Sequence, residues 1–320
     1  MKILTFDIGG ANTKKLVYKD GGTKSSLYNF PMWKKRDKLR DFLEGLREDA
    51  DTVAVTMTAE LCDVFSSKDD GARFIVSACE EVFDEPLFLT INQSLVKKND
   101  IKDYKDLAAT NWLASVYLMR KRFGSGILVD IGSTTTDILP FGDGTRYLKT
   151  DFERLRAGQL LYTGYLRTPV NAVISKVPAG GHMIPIASEY FAITADVYNV
   201  LLGVNYTCET PDGKGKSRKE SMARIARLLC ADLDEVEDYV VDICRYVHEM
   251  QLKGIAKAIE RISKGTETDN LYVAGIGRQL GIEAGEQLGL NTFNLEEKIK
   301  DAWNLPCLGL AEMVLDKEEM

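Results

Sequence analysis

Two copies of one short motif contain the residues of this sequence that are best suited to chemistry on phosphate groups. The first copy reads Asp7-Ile8-Gly9-Gly10-Ala11-Asn12-Thr13, and the second reads Asp130-Ile131-Gly132-Ser133-Thr134-Thr135-Thr136-Asp137. In each copy an aspartate lies at the end of an apolar segment, and glycine and small polar residues follow it. Tight turns of this composition present backbone N–H groups and hydroxyls that hold phosphate oxygens. Paired carboxylates can hold the divalent cation that neutralises those phosphates.

This chemistry identifies two sets of candidate residues. The candidate metal ligands are Asp7 and Asp130, and the expected ion is Mg²⁺. The candidate phosphate-binding residues are the small residues of the two turns, namely Gly9, Gly10, Asn12, Thr13, Gly132, Ser133, Thr134 and Thr135. The alternative is two ordinary β-turns that use Asp and Gly only for turn geometry. The shared strand context and the repeated Asp-Ile-Gly argue against that alternative.

The pattern of apolar residues predicts the strands and helices that position these turns. Strands are predicted over residues 3–7, 13–18, 26–30, 52–56, 86–90, 126–129 and 270–274. Helices are predicted over 38–46, 72–83, 106–122, 279–288 and 308–315, with long amphipathic helices between 217 and 264. Ser217 and Glu220 have the spacing of a capping box. We therefore predict one α/β half over residues 1–124 and a second over residues 125–320, with a helical insertion around residues 190–265.

Composition and charge exclude several classes of protein. The 320 residues are 45% hydrophobic and 28% charged, as expected of a globular chain long enough for two domains. A net charge of -7 argues against a nucleic-acid partner. The absence of a run of ~20 apolar residues argues against a membrane span, and the short apolar start does not resemble a signal peptide. Six scattered cysteines without C-x-x-C spacing argue against a zinc site and favour the cytoplasm.

The paired turns, together with Ala274-Gly275-Ile276-Gly277 near the end of the chain, resemble the actin, sugar kinase and heat-shock chaperone superfamily. The resemblance implies an α/β fold of duplicated ribonuclease H-like (actin-like ATPase) domains with a cleft between them. It also implies that the two turns clamp phosphates and that Gly275 and Gly277 lie beside the bound nucleoside. In this chain Gly275 and Gly277 are expected to lie near a bound ligand, which could be a furan, a diphosphate or a nucleotide. The alternative is that the two glycines only permit close strand–helix packing.

Within that superfamily, the second motif copy resembles the hydantoinase and oxoprolinase branch. A narrower resemblance, to proteins linked to tetrahydromethanopterin-dependent C1 transfer, rests on the first copy with Lys14 and on Thr56-Met57-Thr58-Ala59-Glu60-Leu61-Cys62-Asp63. That group includes an enzyme of methanofuran biosynthesis, which joins an (aminomethyl)furan-methyl diphosphate to the phenol oxygen of γ-glutamyltyramine and releases diphosphate. The resemblance thus implies a transferase with these two small-molecule substrates. The oligomeric state is left open, and a homodimer is compatible with the sequence.

A transferase of this kind needs a base, because the phenol has an ordinary pKa of about 10. We favour Glu60, which follows a strand end expected to face the ligands; Asp63 and Asp151 are other carboxylates near the motifs in sequence. Asp137 is a second catalytic candidate, as base or as ligand of metal or water. Lys14 is the third, since it is placed to add positive charge at the leaving group. The alternatives are that Glu60 and Asp63 stabilise a helix N-terminus and that Lys14 points to solvent.

Two other segments draw attention for their glycines. Residues 178–183 are expected to form a flexible loop that covers the site, with His182 as a candidate for substrate contact. A loop residue without a catalytic role is the alternative for His182. Lys214-Gly215-Lys216-Ser217 resembles the end of a P-loop, but it lacks the first glycine and the preceding apolar strand. We therefore reject a P-loop there.

Two further functions would use the same phosphate-binding turns. One is an ATP-dependent small-molecule kinase or hydantoinase-like amidohydrolase. The other is a nucleotide-gated structural or sensing protein. The turns alone do not separate these from a transferase, because ATP and a diphosphate leaving group require the same donors. Metal-dependent ATP hydrolysis separates them, since the transferase is expected to show none.

Overall fold

The computed structural model describes residues 1–266 and 268–318. The β-strands are β1 (Lys2–Ile8), β2 (Asn12–Lys19), β3 (Gly22–Asn29), β4 (Thr52–Met57), β5 (Leu87–Leu89), β6 (Leu95–Val96), β7 (Gly126–Ile131), β8 (Thr136–Phe141), β9 (Leu160–Leu161), β10 (Lys176–Ala179), β11 (His182–Pro185), β12 (Asn270–Ala274) and β13 (Asn291–Asn294). The α-helices are α1 (Met32–Lys35), α2 (Leu39–Glu44), α3 (Lys68–Glu80), α4 (Asn111–Phe123), α5 (Asp151–Ala157), α6 (Val170–Val173), α7 (Thr194–Leu202), α8 (Arg218–Arg227), α9 (Leu233–Ser263), α10 (Arg278–Gln287) and α11 (Leu305–Glu318). In the described part of the chain, no helix combines the length and the apolar character that crossing a bilayer requires.

The chain divides into two compact units. The first unit contains residues 1–125 and 141–151 and the C-terminal segment from residue 299. The second unit contains residues 126–140 and 152–298. The sequence-based division assigned everything after residue 124 to the second half, whereas the structure returns α11 to the first unit. The reason is close packing: a Cβ at Gly309 of α11 would lie 1.9 Å from the carbonyl oxygen of Ala114 in α4.

The main sheets of the two units have the same strand order. The first sheet runs β3-β2-β1-β4-β5-β6, and the second runs β9-β8-β7-β12-β13. In each sheet the first strand of the unit has its hairpin partner on one side. On its other side lies a parallel strand that comes later in the chain, β4 beside β1 and β12 beside β7. The repeated order confirms the predicted α/β duplication.

Each unit buries its sheet in a core of its own. In the first unit, Phe6 and Ile8 of β1 pack in a cluster with Ile75 of α3. In the second, Ile131 of β7 packs in a cluster with Ile259 of α9. Parallel strands that are covered on both faces are apolar along their whole length, which explains the runs that made these strands recognisable. The ends of β1 and β7, where the two aspartates lie, are therefore firmly anchored.

Three local predictions can be compared with the structure. The helix predicted over 106–122 is two elements, a 3-10 turn (Tyr104–Leu107) and α4, because Ala109 between them has a φ of 50°. The loop expected over 178–183 is instead the β10–β11 hairpin, with both central glycines at positive φ. The capping box at Ser217 and Glu220 is confirmed at the start of α8.

Candidate functional site

The first turn, residues 9–11, joins β1 to β2 and is fixed by backbone hydrogen bonds. The N–H of Gly9 donates to the carbonyl oxygen of Asn12 at 3.0 Å. A Cβ at Gly9 would lie 2.7 Å from that same oxygen, so the turn requires glycine there. On the other side, the carbonyl of Ile8 accepts hydrogen bonds from the N–H groups of Thr58 and Ala59 at 3.0 and 3.1 Å. The segment that leads to Glu60 is thereby tied to the end of β1.

The second turn, residues 132–135, joins β7 to β8 and repeats this construction. The N–H of Gly132 donates to the carbonyl oxygen of Thr135 at 2.9 Å, with the same three-residue spacing as in the first turn. The carbonyl of Ile131, the counterpart of Ile8, accepts from the N–H of Gly277 at 2.9 Å. The motif copies thus fold into the same backbone structure, and ordinary unrelated β-turns do not account for this agreement.

Both turns leave backbone donors unused. Over residues 1–266 and 268–318, the N–H groups of Gly10, Ala11, Ser133 and Thr134 donate no hydrogen bond to the protein. All four residues are half-buried. Adjacent unpaired N–H groups in a turn form a concave anion-binding site. Each turn is therefore chemically suited to anionic oxygens, and phosphate binding by these residues stays a prediction.

Thr13 and Asn12 follow the first turn in different environments. Thr13 is fully buried, and its hydroxyl has no hydrogen-bond partner in the described structure. Asn12 accepts a hydrogen bond from the side-chain amide of Asn29 at 3.3 Å. In the second turn, the hydroxyls of Ser133 and Thr134 lie 3.4 Å apart. The Asn12 amide and the hydroxyls of Ser133 and Thr134 therefore contact neighbouring side chains, whereas the Thr13 hydroxyl does not.

Asp7 lies at the end of β1 and is almost completely buried. The Lys14 ammonium is 3.6 Å from its Oδ2, because these residues are opposite each other in the β1–β2 pair. Lys14 therefore faces the candidate metal ligand instead of pointing away into solvent. The ion pair offsets the desolvation of the Asp7 carboxylate and places a cation beside the first turn.

Glu60 is a strongly perturbed carboxylate of the first unit. Its side chain is 1% exposed, and Oε2 has no hydrogen-bond partner in the described structure. Burial raises its pKa from 4.5 to about 7; hydrogen bonds from the N–H groups of Glu60 itself and Ala109 oppose the rise. The charge of Lys68 lowers the pKa and that of Asp151 raises it, both by less than burial does. A buried carboxyl that titrates near neutral pH is typical of a functional group.

The position of Glu60 depends on two unusual backbone contacts. Gly71 in α3 packs directly on it, since a Cβ at Gly71 would lie 2.4 Å from the carbonyl oxygen of Glu60. Ala109, whose backbone lowers the pKa of Glu60 slightly, has a positive φ that side chains rarely adopt. The hydroxyl of the next residue, Thr110, is hydrogen-bonded to the hydroxyl of Thr56 at 2.8 Å. Thr56 in turn lies opposite Asp7 in the parallel β1–β4 pair. Backbone strain of this kind concentrates at functional sites.

Asp137, the other carboxylate considered as a base, already has a strong partner. It is in β8 and forms an ion pair with the buried guanidinium of Arg154. Asp137 corresponds to Lys14, because each residue is five positions after the turn glycine. The same position therefore carries opposite charges in the two units. This ion pair competes with a role for Asp137 as a base or metal ligand.

Gly275 and Gly277 pack against the strand that enters the second turn. Gly275 has a φ of 90°, and a Cβ there would lie 2.5 Å from the Asp130 carboxylate. A Cβ at Gly277 would lie 2.5 Å from the Ile131 side chain and 2.9 Å from that of Tyr165. Close packing is thus a sufficient reason for both glycines, and a ligand contact by either one stays a prediction.

The oxygen donors beside the turns suit magnesium chemically. In the described residues, no three His, Cys, Asp or Glu side chains form a group that could hold a metal ion. Mg²⁺, however, is commonly bound through one or two carboxylates together with substrate phosphates. Asp7 in the first unit and Asp130 in the second each lie beside a turn with unused N–H donors, so the surroundings of each carboxylate suit such an ion chemically.

The sequence interpretation missed three residues that complete these sites. Gly71 sets the position of Glu60, as described above. Gly164 packs on the second turn, where its Cβ would lie 2.5 Å from the nitrogen of Thr134. Arg167 extends along that turn, with Nη1 3.5 Å from the Thr134 hydroxyl. These residues lie outside the two motif copies and become adjacent to them only through the fold, so the motif copies gave no signal for them.

The fold and the sequence together define the class of protein. The repeated strand order is that of the actin-like ATPase fold. The nucleotide-free structure of acetone carboxylase, from work on ATP-dependent acetone carboxylation, matches 97% of this chain and 70% of its own with a TM-score of 0.60 and 10% identity. The sequence profile of the hydantoinase/oxoprolinase family matches residues 51–317. The chain belongs to that family.

Two individual proteins with the same name are similar in sequence to this chain. The chain is 38% identical over 286 residues to the (4-{4-[2-(γ-L-glutamylamino)ethyl]phenoxymethyl}furan-2-yl)methanamine synthase of Methanocaldococcus jannaschii, and the match covers 87% of each chain. It is 37% identical over 175 residues to the synthase of the same name from Methanococcus vannielii. That second match covers 53% of this chain and 79% of the relative.

Proposed function

We propose that this chain is a transferase that forms an aryl ether between a furan-methyl group and a phenol, as in methanofuran biosynthesis. The observation that carries the proposal is the match to the Methanocaldococcus jannaschii synthase over 87% of both chains. The product in that enzyme's name contains a phenoxymethyl bond to a furan that also bears an aminomethyl group. The bond to be formed therefore joins a phenol oxygen to a furan-methyl carbon.

The proposed substrates are an (aminomethyl)furan-methyl diphosphate and γ-glutamyltyramine. A lone pair on the phenol oxygen forms the new bond to the methyl carbon. The bond from that carbon to the diphosphate oxygen breaks, and its electron pair leaves with diphosphate. The phenol proton passes to a base. The electron-rich furan supports positive charge at the methyl carbon, so catalysis consists mainly of positioning and of stabilising the leaving group.

Glu60 is the proposed base. Its Oε2 is buried without a hydrogen-bond partner in the described structure, so the proton of a neighbouring phenol could be transferred to it without disrupting an existing bond. A pKa of about 7 leaves a substantial fraction ionised at neutral pH and makes the carboxylate more basic than an exposed one. Glu60 is therefore better suited to this role than Asp137, which is held by Arg154.

The turns are the proposed binding sites for the diphosphate leaving group. Their unused N–H groups would stabilise the negative charge that develops as the carbon–oxygen bond breaks. Asp7 and Asp130 would hold Mg²⁺, which when bound supplies further positive charge to the phosphate oxygens. Lys14, 3.6 Å from Asp7, adds a cation beside the first turn. Cytoplasmic location and an archaeal methanofuran pathway belong to the same proposal.

The test is product formation by the purified chain. The protein is incubated with Mg²⁺, the furan-methyl diphosphate and γ-glutamyltyramine; the ether is measured by mass spectrometry and released diphosphate by a coupled assay. Equal amounts of ether and diphosphate are expected, with no ATP hydrolysis in a parallel reaction with Mg·ATP. Tight ATP binding and hydrolysis without ether would instead support a kinase or a hydantoinase-like amidohydrolase.

A further inference from the structure

The segment that follows β9 is bound along the second turn by its backbone. The N–H of Tyr165 donates to the carbonyl of Gly132 at 2.9 Å. The N–H groups of Leu166 and Arg167 both donate to the carbonyl of Ser133, at 3.1 and 2.8 Å. The carbonyls of Gly132 and Ser133 are thus taken up by this segment, while the N–H groups of Ser133 and Thr134 donate to no group in the described part of the chain.

Gly164 fixes this segment at close range. A Cβ there would come within 2.6 Å of the backbone of Ser133 and Thr134, so only glycine allows the approach. Its own peptide groups are bonded on both sides. The N–H donates to the Thr168 hydroxyl at 2.7 Å, and the carbonyl accepts from the side chains of Thr168, Thr194 and Gln251. The backbone beside the turn is therefore held by close packing and by hydrogen bonds from both of its peptide groups.

The same segment includes Arg167, which brings a cation beside the second turn. Arg167 is half-buried, and its Nη1 lies 3.5 Å from the Thr134 hydroxyl. Thr134 is also one of the residues whose N–H donates no hydrogen bond in the described part of the chain. A guanidinium next to unused N–H donors combines the two groups that proteins use most often to hold phosphate oxygens.

We propose that Arg167 binds the diphosphate group of the substrate, together with the N–H groups of Ser133 and Thr134. This inference rests on the proposed function, because that reaction supplies the diphosphate. The planar guanidinium can donate two parallel hydrogen bonds to phosphate oxygens. It would contribute most as the carbon–oxygen bond breaks and charge accumulates on the leaving group.

A carboxylate is the other oxyanion in the proposed reaction, since γ-glutamyltyramine carries one. Diphosphate is favoured because the turn offers several donors side by side, which suits a group with many charged oxygens. The two candidate ligands of Arg167 predict different defects in an Arg167 variant. Loss of diphosphate affinity is expected if Arg167 binds diphosphate, and a raised KM for γ-glutamyltyramine alone is expected if it binds the carboxylate.

The experiment measures binding of inorganic diphosphate by calorimetry, with and without Mg²⁺, to the full-length chain. The variants are Arg167→Ala, Arg167→Lys and the control Arg245→Ala, which removes an exposed arginine paired with Asp242 on α9. We expect Arg167→Ala to weaken diphosphate binding about 10- to 100-fold, because the variant loses a charge-assisted hydrogen bond. Arg167→Lys should lose less, because it keeps the charge, and Arg245→Ala should bind like the unmodified chain.

Unchanged diphosphate affinity in both Arg167 variants would overturn the proposal, and so would a defect confined to the KM for γ-glutamyltyramine. Arg167→Lys keeps the test informative if Arg167→Ala fails to fold. The outcome is separable from that of the proposed function. A chain that binds diphosphate through Arg167 but forms no ether refutes the reaction and supports the binding role, whereas a chain that binds no diphosphate refutes the binding role.

Discussion

Replacing Glu60 by glutamine tests the proposed base through two independent properties. The substitution keeps the size and shape of the side chain but removes its charge. If Glu60 accepts the phenol proton, turnover should fall about 10²- to 10⁴-fold. In the unmodified chain, turnover should rise as the pH passes about 7, because Glu60 becomes ionised there.

The same substitution should alter how stability depends on pH. The pKa of Glu60 is 4.5 when exposed and about 7 in the folded protein, so the folded state holds the proton more tightly. Folding therefore bears no cost from this group well below pH 4.5, and the cost grows until the pH exceeds 7. Since a tenfold change in proton affinity corresponds to about 1.4 kcal/mol, we expect a cost of about 1 kcal/mol at pH 5 and about 3 kcal/mol at pH 8.

The measurement is urea unfolding at pH 5 and at pH 8, followed by tryptophan fluorescence. All three tryptophans, Trp33, Trp112 and Trp303, belong to the first unit, as does Glu60. The signal therefore reports on the unit that contains the substitution. Relative to the unmodified chain, Glu60→Gln should gain about 2 kcal/mol of unfolding free energy between pH 5 and pH 8. Comparing two pH values cancels any fixed cost of burying the new amide.

The control is Glu81→Gln, which removes an exposed carboxylate of the same unit. It should leave both turnover and the pH dependence of stability unchanged. A Glu60→Gln variant with full turnover would refute the role of Glu60 as base. A stability difference from the unmodified chain that stays constant from pH 5 to pH 8 would show that Glu60 does not titrate near 7.

Three further substitutions test the surroundings of the turns. Gly71→Ala should destabilise the first unit and reduce turnover, because its Cβ would lie 2.4 Å from the Glu60 carbonyl. Gly254→Ala in α9 of the second unit, with open space around it, should instead stabilise by about 1 kcal/mol in urea unfolding followed by circular dichroism. Gly164→Ala should weaken diphosphate binding in calorimetry, by pushing the second turn apart, while the tryptophan unfolding signal of the first unit stays unchanged. Asp130→Asn should remove most Mg²⁺-dependent turnover with an unchanged circular dichroism spectrum; full turnover in a Mg²⁺ titration would exclude the second turn from the mechanism.

The strands and the duplication could be predicted because they depend on local patterns. Strands that are buried on both faces must be apolar throughout, so β1, β4, β7 and β12 were recognisable as runs. The turns were recognisable because a tight connection after an aspartate requires glycine at a fixed position. Element ends were predicted less well where tertiary contacts decide them, as at Ala109, whose positive φ interrupts the helix predicted over 106–122.

The membership of the two units could not be read from chain order. The helix α11 comes last in the sequence but packs within the first unit, because Gly309 allows contact with Ala114, some two hundred residues earlier. A division based on where a motif repeats assigns such a returning segment to the wrong half. Nothing local to residues 305–318 indicates which sheet they cover.

By itself, the sequence predicted the pair of glycine turns and the order of strands and helices, since these follow from residue types at short spacing. The fold class followed from the resemblance of the motifs to a known superfamily, and Glu60 as the base stays a prediction. Only the tertiary structure decided the properties that depend on long-range contacts. It placed Lys14 against Asp7 and Arg154 against Asp137. It also buried Glu60 and thereby raised its pKa, packed Gly71 against the Glu60 backbone, and brought Arg167 to the second turn. Burial and the proximity of charges set these properties, and both arise only when distant segments of the chain pack together.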